Sequence, residues 1–200
     1  MTAAAEVPAS VAAATAEQPG ARAALGAALR SPSHAYLFVG PSGAGKTAAA
    51  RAFVAELLTR GAADPYEARR RALMDPSPHP DLAWLRPPGN QHLVEDVRRD
   101  VIAAVAYRPF EGARRAFVVE RADAMAEESQ NALLKTLEEP PHYAHLVLIT
   151  SEPGALLDTV RSRLAEVRFA PLPLEVVEER LAAELPGASA EELTALAALA

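Results

Sequence analysis

The 200-residue chain contains no cysteine, which excludes disulfides and the usual cysteine-ligated zinc ribbons and leaves its redox compartment undetermined. Its five histidines are scattered and offer no pattern for a metal site built on histidine alone. Surplus positive charge is missing too. The formal charge is −6, so the overall basic field of a protein that grips nucleic acid with its own surface is absent, and any DNA contact is expected to be local or borrowed from partners. No apolar run reaches the roughly 18 residues needed to span a bilayer. The alanine-rich start lacks a basic lead-in and carries Glu6 and Glu17, which argues against a signal peptide. These absences lead us to expect a soluble, cytoplasmic protein. There is no internal repeat.

What is present is a core-forming composition: half of the residues are hydrophobic, enough for one sizeable core and part of a second. Short apolar runs alternate with amphipathic stretches, the pattern of an α/β domain on a parallel sheet. Five strands are expected, over Ala35–Val39, Asp81–Leu85, Ala116–Val119, Leu146–Thr150 and Glu166–Phe169. Leu93, Val97, Val101 and Val105 recur every four residues with Val94 and Ile102 beside them, predicting a helix over His92–Tyr107 that packs on the sheet while Glu95, Arg98 and Arg99 face water. Trp84 and Phe117 read as core. Residues 61–80, with clustered prolines and three consecutive arginines, read as a surface excursion without regular structure. After Pro171-Leu172-Pro173, residues 174–185 and 189–200 read as two helices of a small helical domain. The expected division is a flexible segment over 1–17, a nucleotide-binding domain over 18–170 and the start of a helical lid over 171–200. The final helical pattern has no closing Gly, Asn or basic residue, so the chain is expected to be a fragment of something longer.

Gly40, Gly45, Lys46 and Thr47 satisfy G-x-x-x-x-G-K-(S/T), with an apolar strand running in and a helix running out. Such a loop converges the backbone N–H groups of residues 40–47, among them Ser42, Gly43, Ala44 and Gly45, on phosphate oxygens at a helix N-terminus. Lys46 is then placed to reach the outer phosphates and the Thr47 hydroxyl to ligate Mg²⁺. ATP/Mg²⁺ is the expected ligand; the loop alone does not separate ATP from GTP, but the chain has no (N/T)-K-x-D guanine-reading element.

An ATPase of this type needs a strand ending in two carboxylates, one for Mg²⁺ and one to polarise the attacking water. Here the strand continues Glu120-Arg121. Glu120 is expected to take the first role and contribute to the Mg²⁺ site, whereas Arg121 cannot orient water as a carboxylate does. It retains a charge attractive to phosphate. Asp123 reads as a cap or first-turn acid of the helix that contains Glu127 and Glu128. The site is expected to bind nucleotide and hydrolyse it slowly or not at all.

The segments HAYLFVGPSGAGKT (His34–Thr47), HPDLAWL (His79–Leu85), LVEDVRRD (Leu93–Asp100), RPFEGARRAFVVERADAM (Arg108–Met125), ESQNALLKTLEEPP (Glu128–Pro141) and RSR (Arg161–Arg163) occur in this order. Together they resemble the delta-prime subunit of the bacterial DNA polymerase III clamp loader, an AAA+ protein, from about Gln18 to Leu185. The related gamma/tau subunit shares NALLKTLEEPP but is similar to an active ATPase with Asp-Glu on its acidic strand. Glu120-Arg121 and HPDLAWL therefore favour delta-prime. The resemblance implies an AAA+ fold and partnership with gamma/tau and delta subunits, and through them with the β sliding clamp and primed DNA. It implies that Arg163 is an arginine finger reaching in trans to a neighbour's ATP, and that Thr150 is a sensor near the γ-phosphate; a β-branched strand end explains Thr150 equally well. Two departures stand out. The four-cysteine zinc module carried by many relatives is missing from residues 61–78, so no zinc is expected, and Leu164 replaces the cysteine that usually follows the arginine. Lys135, Glu138 and Glu139 read as the polar face of a helix stopped by Pro140-Pro141, with no chemical role. An active gamma/tau-like motor and an AAA+ ATPase of DNA repair are the alternatives.

Overall fold

The computed structural model describes residues 7–197. Five parallel strands form one sheet in the order β2-β3-β4-β1-β5: β1 (Ala35–Val39), β2 (Leu82–Leu85), β3 (Arg115–Val119), β4 (Ala144–Thr150) and β5 (Ala165–Arg168). All five expected strands are present with ends shifted by a residue or two. Side chains alternate across the sheet. Tyr36 and Phe38 of β1, with Ala116, Val118, Val147 and Ile149, enter one core; Ala35 and Leu37, with Phe117, Val119, Leu146 and Leu148, enter the other.

The first core is roofed by α1 (Ala9–Ala14), α2 (Pro19–Arg30), α3 (Lys46–Leu58) and α4 (Pro65–Leu73). Helix α3 runs through the middle of it, and Phe53 meets Tyr36 edge-on at 5.0 Å between ring centroids. Two expectations are corrected on this face. Within the supposedly flexible segment, α1 buries Val11 completely, and Ser10 donates to Glu56 of α3 at 2.5 Å. The stretch read as an irregular excursion contains α4: Asp64 caps it by accepting from the Glu67 N–H at 3.0 Å, Pro65 takes the first helical position, and Ala68 and Ala72, one turn apart, point inward. Arg69 of α4 clamps the buried Glu56 carboxylate with two bonds of 2.7 and 3.0 Å.

The second core is covered by α5 (Val94–Val97), its continuation, α6 (Glu127–Glu138) and α7 (Asp158–Arg161). The helix expected over His92–Tyr107 is three pieces, with a π-helical stretch at Arg98–Ala103 and a 3₁₀ turn at Ala104–Ala106 following α5. Val97, Val101 and Val105 are buried as the four-residue spacing requires, a spacing that the widened turn accommodates; Leu93 is exposed, contrary to expectation, because it precedes the helix as its N-cap. Helices α8 (Leu174–Glu184) and α9 (Ala190–Ala197) follow Pro171-Leu172-Pro173 and pack on each other; residues 198–200 of the second expected helix lie outside the described residues.

Two buried polar anchors tie the sheet to its loops. Asp81, just before β2, is almost fully buried; its carboxylate accepts from the Phe110 and Glu111 N–H groups at 2.8 and 2.9 Å and faces the Arg115 guanidinium at 3.7 Å. Arg115 in turn donates to the carbonyls of Ala104 and Tyr107. HPDL and RPFEG are thus halves of one structural unit. Replacing Asp81 with Ala strands a buried guanidinium and two N–H groups, and is expected to lower unfolding free energy by about 3–5 kcal/mol in urea titration.

His145 of β4 is buried, with Nδ1 2.8 Å from the Ser33 carbonyl and Nε2 3.0 Å from an Arg114 N–H donor, a pairing that suits the neutral ring with Nδ1 protonated. Burial pushes it down to about 4 from an ordinary 6.5, aided by the nearby arginines and opposed by the Ser33 bond. As pH falls, the unfolded chain binds this proton first. The contribution is therefore complete above about pH 6.5 and declines down to about pH 4, by on the order of 3 kcal/mol in all. His145→Gln is expected to flatten that part of the stability profile, measured by urea unfolding across the range.

Candidate nucleotide site

The loop between β1 and α3 is shaped by two glycines with different tasks. A Cβ on Gly40 would stand 2.4 Å from the Phe169 carbonyl oxygen, so only glycine lets the loop leave the sheet beside β5. Gly45 caps α3 with φ 89°, a left-handed conformation that side chains resist. Between them Ser42 and Gly43 are exposed at the tip, while Ala44 is buried. Gln18 secures the loop from behind: its amide donates to the Ala44 and Ala170 carbonyls at 3.2 and 2.8 Å and accepts from the Ala170 N–H at 2.9 Å. Nothing in the sequence around Gln18 marks it for this role.

Lys46 is buried, and its ammonium donates to the Gly40 and Pro41 carbonyls at 2.6 Å each, with Ser151 Oγ at 3.4 Å. Burial pulls it below its ordinary value, and the Asp123 carboxylate opposes this. Thr47 is exposed and lines a cleft of 560 Å³ together with Ser42, Lys46, Arg51, Glu120 and Arg121. A second cleft, of 370 Å³, lies on the other side of Ser42 and Gly43, walled by Pro171, Leu172, Val177 and Leu181.

Four expectations change at the acidic strand. Glu120 does not present an uncommitted carboxylate to a metal: Oε1 accepts from the Trp84 indole at 2.5 Å and from Arg86 Nε at 3.0 Å. Trp84, expected in the core, packs against the first core but is only half-buried, leaving its indole free to donate to Glu120, with Arg51 stacked 4.2 Å from its ring centroid. Arg121, in the left-handed region at φ 49°, turns its guanidinium toward the carbonyls of Gly89 and Asn90 at 3.2 and 3.4 Å. Asp123 caps nothing in α6, whose N-cap is Ala126; its carboxylate accepts from the Thr150 hydroxyl at 2.6 Å and, more weakly, from the Ser151 N–H at 3.4 Å. The hydroxyl expected to sense a γ-phosphate is therefore tied to the chain's own acid. For Mg²⁺, which demands near-octahedral oxygen ligation, Thr47 fits, whereas Glu120 offers only Oε2 of a carboxylate already paired with Arg86. Among the described residues no group of three or more His, Asp or Glu has the arrangement of a metal site.

Arg163 lies elsewhere. It follows α7 and precedes β5, whose Ala165 pairs with Tyr36 near the start of β1, so the length of β1, about 16 Å at ~3.3 Å per residue, separates it from Gly40. Its guanidinium donates to the Thr159 carbonyl at 2.6 Å and to Glu138 at 2.7 Å, giving Glu138 a partner that its reading as a solvated helix face had denied it. Leu164 packs, partly buried, on the second core.

A parallel sheet in this order, with a phosphate loop after β1, defines the chain as a P-loop NTPase fold of the AAA+ class. The crystal structure of a DNA polymerase III gamma subunit-related protein from Thermotoga maritima shares this fold, with a TM-score of 0.53 at 24% identity over 81% of this chain and 52% of that one. The family described as DNA polymerase III, delta subunit, matches residues 25–173. The delta-prime subunit of Pseudomonas aeruginosa is 37% identical over 171 residues, covering 83% of this chain and 52% of its own. A gamma/tau subunit of Mycobacterium bovis is 32% identical over 152 residues, 74% of this chain and 26% of its own. The chain belongs to the DNA polymerase III delta-prime family and spans about half the length of the delta-prime relative.

The bond between Asp123 and Thr150 joins residues 27 apart in sequence. A double-mutant cycle of Asp123→Ala and Thr150→Val is expected to give a coupling energy of about 1.5–3 kcal/mol in urea unfolding, the range for a hydrogen bond to a charged group.

Proposed function

We propose that the chain acts in DNA replication as the nucleotide-binding part of a delta-prime clamp-loader subunit, helping to place the β sliding clamp on primed DNA in a cytoplasmic complex with gamma/tau and delta subunits. The observation that carries this reading is the separation of its two functional ends. Arg163 stands at the opposite end of the strands from the chain's own phosphate loop, half-exposed, and this distance from its own pocket supports a role toward a nucleotide held by a neighbour.

The chain's own pocket supports binding without efficient hydrolysis. Lys46 needs only to exchange two backbone carbonyls for phosphate oxygens, and the apolar cleft beside Ser42 and Gly43 suits a nucleoside base. No carboxylate stands at position 121 to orient water, and Arg121 disfavours the gamma/tau-like motor for the same reason.

In a clamp loader reconstituted around the full-length subunit, Arg163→Ala is expected to suppress clamp-stimulated ATP turnover at the adjoining site by about a thousandfold, the usual worth of an arginine finger. The purified chain should bind ATP and turn it over no faster than its Lys46→Ala variant. Unchanged loading by Arg163→Ala would remove the reading in trans; turnover that depends on Lys46 would restore the motor.

A further inference from the structure

Where the fold would have a carboxylate and a metal, this chain has a closed set of paired side chains. Arg86 and Glu120 leave the ends of β2 and β3 side by side, since Leu85 pairs with Val119 and the Glu120 N–H donates to the Leu85 carbonyl at 3.0 Å. Arg86 Nε donates to Glu120, and its two terminal nitrogens donate to both oxygens of Asp75 at 3.0 and 2.6 Å. Arg51, one and a half turns along α3 from Lys46, reaches the same Asp75 carboxylate at 3.1 Å while lying on Trp84. Both carboxylates that line the phosphate cleft are thus held by guanidinium groups.

We propose that this pocket binds nucleoside triphosphate without Mg²⁺, the cations Lys46, Arg51 and Arg121 supplying the charge that a metal supplies elsewhere while Arg86 neutralises the two acids of the cleft. The inference rests on the proposed nucleotide binding and concerns how the charge of the phosphates is met.

The physical case is one of competition. Mg²⁺ binds hard oxygen donors in near-octahedral geometry and gives up its water reluctantly. The Trp84 and Arg86 bonds occupy Oε1 of Glu120 and leave Mg²⁺ only Oε2, on a carboxylate whose charge Arg86 already meets, so the metal gains less there than from an unpaired acid. A triphosphate arriving without metal meets the opposite balance. Lys46, Arg51 and Arg121 line the cleft against Asp75 and Glu120, and Arg86 already offsets those two acids from behind. The phosphate chain therefore faces a surplus of positive charge, and guanidinium groups match phosphate oxygens well.

The test is calorimetric titration of the purified chain with a non-hydrolysable ATP analogue, in excess Mg²⁺ and separately in EDTA. The expected dissociation constants agree within about threefold, whereas a site built around the metal weakens by about a hundredfold or more when it is removed. Binding in Mg²⁺ alone would overturn the inference and leave the nucleotide reading intact. Heat in neither titration would overturn both. Arg86→Gln, whose side chain is half exposed and outside either core, is expected to weaken binding about tenfold in EDTA with little change in Mg²⁺. Equal binding by that variant in EDTA would remove Arg86 from the role.

Discussion

Strand β1 is hydrogen-bonded along both edges, to β4 and to β5, with every neighbour parallel, and the rest of the molecule is arranged by that constraint. Parallel pairing puts all strand ends of one kind on one side. The phosphate loop after β1, Glu120 after β3 and Thr150 at the end of β4 are consequently neighbours although 110 residues of chain separate the first from the last. The starts of the strands collect on the other side, where Arg163 precedes β5. Because β1 is buried on both faces, neither cluster can shift along the sheet without opening a core.

At the nucleotide end, the same geometry sets up a contest for carboxylates that arginine wins. Glu120 and Asp75 have no partner in their own segments. Arg51 comes from α3 and Arg86 from the end of β2, and they meet between the acids with Trp84 as a platform. These pairs are partly exposed and individually contribute little to stability, but together they fix where positive charge stands in the cleft. Arg121 in place of a second carboxylate and the engagement of the first at Glu120 both support the proposed pocket, one that holds an anion without activating water.

The local parts of this arrangement were legible in the sequence and the nonlocal parts were not. Strands and phosphate loop follow from apolar runs and glycine spacing, which act within a few residues. Helix α4 had a readable signature in Asp64-Pro65 and in Ala68 and Ala72, overshadowed by the surrounding prolines. The widened turn at Arg98–Ala103 leaves the four-residue spacing of valines intact, so periodicity could not distinguish it from an α-helix. Asp123 with Thr150, Arg86 with Glu120 and Glu138 with Arg163 lie 25 to 34 residues apart in the chain, and no spacing rule reaches across a crossover.

Helix α6 connects the two ends. It starts near the nucleotide side after β3, returns along the sheet for 12 residues, about 18 Å at ~1.5 Å per residue, and ends in Glu138 against Arg163. A half-exposed ion pair of this kind is worth no more than about 1 kcal/mol. That suffices to bias a long side chain toward one orientation, and it is small beside the interaction of a guanidinium with a phosphate oxygen in a water-poor interface. In the proposed role of Arg163 toward a neighbour, the weakness of its bond to Glu138 matters as much as the bond itself: Glu138 would present the guanidinium, and a triphosphate held opposite would take it over at little cost.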